Sequence, residues 1–98
     1  MKINPIDLAK EHNAKHLYDC IDALAESCHL TQDESNILHA AIAHWDVGGQ
    51  DFWLTEIART CALKALRGIE AGYIGDPKSQ EAQSAEHDAL VLASFFDY

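Results

Sequence analysis

The sequence predicts an all-α fold, a compact antiparallel bundle of about four helices, and three observations carry that expectation. Fifteen alanines and ten leucines stand against two valines and three threonines, a composition that favours helix over strand. No strict alternation of apolar and polar residues runs long enough for a half-buried strand. Apolar residues instead recur at three- and four-residue spacing, separated by short breaks that carry Gly, Pro or helix-capping residues. Ninety-eight residues, 48% of them apolar, form one acidic domain, 1–98, with one modest core.

The first helix is expected to open at Asn4 and Pro5. Asn accepts a bond from an early backbone N–H, and Pro at the next position has no N–H to lose. Asp7 then falls in the first turn, near the positive end of the helix dipole. The stripe Leu17, Ile21, Leu24 and Cys28 follows helical spacing toward a core. Thr31 with Glu34 matches a capping box, in which each side chain satisfies a backbone N–H of the other, so a second helix begins there. Its buried face is Ile37, Leu38, Ala41, Ile42 and Trp45. Residues 46–50, centred on Gly48 and Gly49, end it.

A third helix is expected over about 51–71, burying Leu54, Ile57, Ala58, Cys61, Ala65 and Ile69, with Gly72 as its stop. The last helix is capped by Asp76 or Ser79 and carries Ala85, Ala89, Leu92, Ala93 and Phe96 on one side. Short connections favour antiparallel neighbours.

Charge is the informative feature. The formal net charge is −9, which argues against neutralising phosphates directly and against attraction to anionic membranes. Between Lys15 and Arg59 there is no Lys or Arg, and that stretch holds Asp19, Asp22, Glu26, Asp33, Glu34, Asp46, Asp51 and Glu56. Asp19, Asp22 and Glu26 recur at three and four, where like charges repel on one helix face. Such a run is either a solvated, solubilising surface or one that meets a basic partner. An extended array of carboxylates can occupy the same positive groove that phosphates would occupy, an expectation that requires folding to gather the acids into one continuous patch. Full protonation of the six histidines would move the formal charge from −9 to −3, centred near pH ~6.5 for unperturbed groups.

Constellations for catalysis are weak. His12, His16 and Cys20 form a row at i, i+4, i+8, but the row climbs about 12 Å, too far for one ion to reach all three. Glu26 and His29 make a single Glu-x-x-His pair where a di-metal bundle needs two. His87 and Asp88 stand as an isolated dipeptide. No glycine-rich phosphate loop or nucleophile elbow occurs. No catalytic residue, metal or cofactor is therefore expected. Cys20, Cys28 and Cys61 are expected to be free, mostly buried thiols, and with no secretory signal or apolar run near about eighteen residues this points to a cytoplasmic protein.

Trp45, Phe52 and Trp53 bracket the glycine turn beside Asp46 and Asp51. The two indoles either close one end of the bundle or anchor an interface. Phe95, Phe96 and Tyr98 pose the same question, with Phe96 expected inside and Tyr98 on the rim or at a dimer contact. The expected function is a non-catalytic module that binds a basic protein through the eight acids with Trp45 and Trp53. A sharper version is an inhibitor, encoded by a phage or mobile element, that blocks a nucleic-acid-binding surface. The alternatives are a helical module that self-assembles, as a homodimer for instance, through its aromatic patches, and a metal-dependent hydrolase built on His12, His16 and nearby carboxylates.

Overall fold

The computed structural model describes residues 14–49 and 51–96. It contains α1 (Ala14–Glu26), α2 (Gln32–Asp46), α3 (Phe52–Ala71) and α4 (Gln80–Phe96), with no strand among the described residues. The expected helix start at Asn4 and Pro5, with Asp7, His12 and Tyr98, lies outside the described residues. Each helix packs on the one before and the one after, and α4 closes the ring against α1. The links at 27–31, 47–51 and 72–79 are short, so successive helices reverse direction as expected.

Leu17, Ile21 and Leu24 of α1, Leu38 and Ile42 of α2, Ile69 of α3, and Val91 and Leu92 of α4 are wholly buried at the centre. The α3–α4 contact is the most extensive. Ala58, Ala62 and Ala65 of α3 and Ala82, Ala85, Ala89 and Ala93 of α4 are all buried, and such small side chains allow packed helices to approach closely. The predicted face of α4 is buried throughout, and burial extends to every residue from Val91 to Phe96. Ile57, expected in the core, is 48% exposed. It precedes buried Ala58 by one position, about 100° around the helix, and so falls outside the stripe through Ala58, Cys61, Ala65 and Ile69.

Three helices end in the same hydrogen-bond pattern. In α2 the N–H of Gly48 bonds to the carbonyl of Trp45 and that of Gly49 to His44, both at 2.9 Å. In α3 Gly72 and Tyr73 bond to Ile69 and Gly68, both at 3.1 Å. These are Schellman motifs, whose turning residue takes the left-handed conformation that glycine tolerates, here φ 82° and 73°. In α1 the N–H of Cys28 bonds to Ala25 and that of His29 to Leu24 at 3.1 and 2.9 Å, with Cys28 at φ 66°. The sequence-based stripe that placed Cys28 in the core is thereby corrected. The helix stops at Glu26, and Cys28 is the exposed turning residue.

A side chain in this conformation costs about 1–2 kcal/mol, against roughly 0.5–1 kcal/mol for the extra freedom glycine loses on folding. Cys28→Gly is therefore expected to stabilise the fold by about 0.5–1 kcal/mol. The check is an upward shift of the urea midpoint at unchanged slope, and a downward shift would contradict it.

The capping box forms as predicted. The Thr31 N–H donates to Glu34 Oε1 at 2.9 Å and the Glu34 N–H donates to Thr31 Oγ1 at 3.2 Å. Ser79 caps α4, its hydroxyl accepting from the Ala82 N–H at 3.1 Å, while Asp76 holds the preceding turn through the Lys78 N–H at 2.9 Å. Among the described residues no helix is long and apolar enough to cross a membrane.

Candidate functional site

The eight acids of the base-free stretch occupy different parts of the bundle. Glu26, Asp33 and Glu34 flank the α1–α2 link, whereas Asp46, Asp51 and Glu56 surround the α2–α3 link at the other end of α2, about 22 Å away. Asp19 and Asp22 lie along α1 between them. Asp19 pairs with Lys15 at 3.3 Å, both well exposed, a contact of little energetic weight. Asp22 joins α1 to α2 through His39 Nε2 at 2.8 Å, and the His39 ring stacks on Tyr18 with centroids 4.9 Å apart. Glu56 pairs with Arg59 one turn along α3. Glu26, Asp33 and Asp46 are exposed.

Glu34 is the most structural of the eight, since Lys64 of α3 reaches its carboxylate at 3.3 Å across the helix pair. Burial pushes its carboxyl up, but the Thr31 hydrogen bonds and the Lys64 ammonium together outweigh burial and hold it below the usual range. A carboxyl lowered by folding adds stability above its unfolded value, and that stability disappears as pH falls through the folded value. Glu34→Gln is expected to be less stable than wild type at pH 7, with the gap narrowing as the pH falls below about 5. Parallel stability profiles for the two proteins would contradict this.

The α2–α3 end combines acid with aromatic surface. Asp51 caps α3 by accepting from the Leu54 N–H at 3.0 Å. The next two residues, Phe52 and Trp53, are 70% and 74% exposed and meet edge to face with centroids 5.8 Å apart. Val47, at the end of α2, is 82% exposed. Trp45 behaves differently. It is half-buried, and its ring meets Phe95 edge to face at 4.9 Å, while Phe95 meets Phe96 in the same way at 5.0 Å. The two tryptophans are thus not equivalent: Trp45 packs on the core and Trp53 stands in solvent.

A groove of about 650 Å³ opens between these groups. Buried Ala41, Phe95 and Phe96 line it with half-buried Trp45, Leu54 and Thr55, and exposed His44, Asp51 and Phe52 stand at its edge. A β-carbon on Gly49 would sit 2.6 Å from His44 Nε2, so the absence of a side chain there lets the His44 ring lie against the link. Residue-by-residue reading missed this groove, as well as exposed Val47 and Ile57, because its lining comes from α2, α3 and the end of α4.

The buried thiols Cys20 and Cys61 are poorly suited to nucleophilic chemistry. Burial, reinforced by the charge and hydrogen bond of Asp88, pushes the Cys20 thiol up to about 12, so it remains protonated at neutral pH. His16 Nε2 lies 3.8 Å from its sulfur. Burial, then the Glu34 charge, raises the Cys61 thiol as well. Burial lowers His29, favouring its neutral form. Among the described residues no three His, Cys, Asp or Glu side chains are grouped to hold a metal ion, and His12 lies outside them.

No family model matches the sequence, and no curated protein and no solved structure matches it.

Proposed function

We propose that this chain is a non-catalytic binding protein that contacts a basic protein partner through the α2–α3 end of its bundle, and that it inhibits that partner by covering a surface used for nucleic acid. The observation that carries this reading is the exposure of Phe52 and Trp53, 70% and 74%, immediately after Asp51. Contiguous exposed aromatic surface marks interaction sites, and each large apolar side chain left in water forgoes roughly 1.5–3 kcal/mol of burial. A net charge of −9 supplies the long-range attraction that steers a basic partner to that anchor. Asp51 beside the aromatic pair and Asp46 at the end of α2 would compete with phosphates for the same positive groove. The inhibitory half of the proposal follows from that competition, and a phage or other mobile element is the natural source of such a protein. Free Cys20, Cys28 and Cys61 fit a reducing compartment such as the cytoplasm.

The test is co-purification of a basic nucleic-acid-binding protein with this chain, followed by a salt titration and a competition with nucleic acid. Release between about 50 and about 500 mM salt, over which the Debye length falls roughly threefold, together with mutually exclusive binding of nucleic acid, is the expected result. Retention indifferent to salt would overturn the electrostatic reading, and simultaneous binding of nucleic acid would overturn the inhibitory one.

The knob made by Phe52 and Trp53 beside a groove also favours a second reading, self-assembly, because an isologous dimer needs both features on one surface. Sedimentation over a dilution series separates the two readings.

A further inference from the structure

The groove at the α2–α3 end calls for an occupant with two properties. Its lining carries the apolar side chains of Trp45, Leu54, Phe95 and Phe96 beside the polar His44, Asp51 and Thr55, so the occupant must offer a bulky apolar group together with polar or charged ones. Its edge carries Asp51, Asp46 lies next to Trp45 in the chain, and no Lys or Arg lines the groove among the described residues. A cation beside the apolar group would therefore meet the Asp51 carboxylate and, at Phe52 and Trp53, exposed ring faces that attract guanidinium or ammonium. At about 650 Å³ the groove falls within the roughly 300–1,000 Å³ typical of ligand sites.

A second copy of this chain fits the shape but not the charge. Seating it here would bring two sets of Asp46 and Asp51 together, on chains that each carry net −9, and like charges juxtaposed across an interface oppose it. We infer that the groove seats a short basic peptide segment of the partner protein, a bulky apolar side chain entering between Trp45, Leu54 and Phe95 while flanking Lys or Arg residues meet Asp46, Asp51 and the exposed ring pair. This rests on the proposed function and adds to it the site of contact and the chemistry of the segment held there.

The probe is a short synthetic peptide of lysines around a pair of leucines, measured beside two controls, one with serine for both leucines and one with glutamate for every lysine. The leucine–lysine peptide is expected to bind at least tenfold more tightly than either control. Thr55→Trp, which fills the groove from its lining, is expected to weaken that peptide at least tenfold and to leave the serine–lysine peptide unchanged. Because this variant places a large side chain near the core, a second measurement uses the wild-type chain. Addition of the leucine–lysine peptide is expected to shift the Trp45 indole N–H and the Leu54 methyl resonances.

Equal, salt-sensitive binding of the leucine and serine peptides would overturn the groove inference while leaving an acidic binding surface in place. Binding of none of the peptides would overturn both. Resonance shifts centred on Tyr73 and Ile74, at the other end of the bundle, would overturn the assignment of the site. Concentration-dependent shifts of Trp45 without any peptide would overturn it in favour of a second copy.

Discussion

Phe95→Ala is expected to lower the stability of the fold by about 3–5 kcal/mol. Phe95 is 3% exposed and holds the end of α4 to α2 through its edge-to-face contact with Trp45 and to its own helix through Phe96. Truncation removes both ring contacts and leaves a cavity in a region where every residue from Val91 to Phe96 is buried. Against a total of about 5–15 kcal/mol for a domain, a loss of this size moves the melting temperature down by roughly 12 °C or more. The check is a denaturant midpoint at unchanged slope, accompanied by red-shifted tryptophan emission as Trp45 loses its cover. A loss below about 1 kcal/mol would contradict the burial of Phe95 and its ring contacts with Trp45 and Phe96.

Trp53→Ala is expected to do the reverse. Trp53 is 74% exposed and packs chiefly on Phe52, so its removal should change stability by no more than about 0.5 kcal/mol. Affinity for the basic partner is expected to fall by about 2 kcal/mol or more, roughly thirtyfold, because a tryptophan at the centre of a small interface behaves as a hot spot. Tyr73→Ala supplies the control. Tyr73 is 82% exposed, but it lies beyond α3 at the opposite end of the bundle, and its loss should affect neither property. Equal effects of the two substitutions on binding would show that exposed aromatic surface in general, rather than the α2–α3 end, makes the contact.

Local chemistry made the helices legible in the sequence. Thr31 and Glu34 announce α2, and Gly48 and Gly72 announce the ends of α2 and α3, because each of these signals works through backbone groups within a few residues. The end of α1 was hidden for the complementary reason. Its turning residue is Cys28, an apolar residue at helical spacing, and nothing in the residue type reveals a left-handed φ of 66°. Ile57 was misplaced because periodicity admits two neighbouring stripes on α3, and only packing against α4 selects the one through Ala58.

The acids were legible as a composition but not as a surface. The chain reversal at the α1–α2 link, the Glu34–Lys64 pair and the Asp22–His39 pair distribute them among structural tasks, and all three depend on tertiary contacts. Trp45 and Trp53 stand eight residues apart with similar local surroundings. Their different fates follow from Phe95, half the chain away, which gives a partner to one and not to the other.

The decisive measurement is a footprint of the chain in complex with its basic protein partner, by amide hydrogen exchange and methyl resonance shifts. Protection and shifts confined to residues 44–57 and to Phe95, spanning Trp45, Asp46, Asp51 and Trp53, are expected. A footprint along α1 over Asp19, Asp22 and Glu26, or around Tyr73 and Ile74, would mean that the aromatic end of the bundle is not where the partner binds.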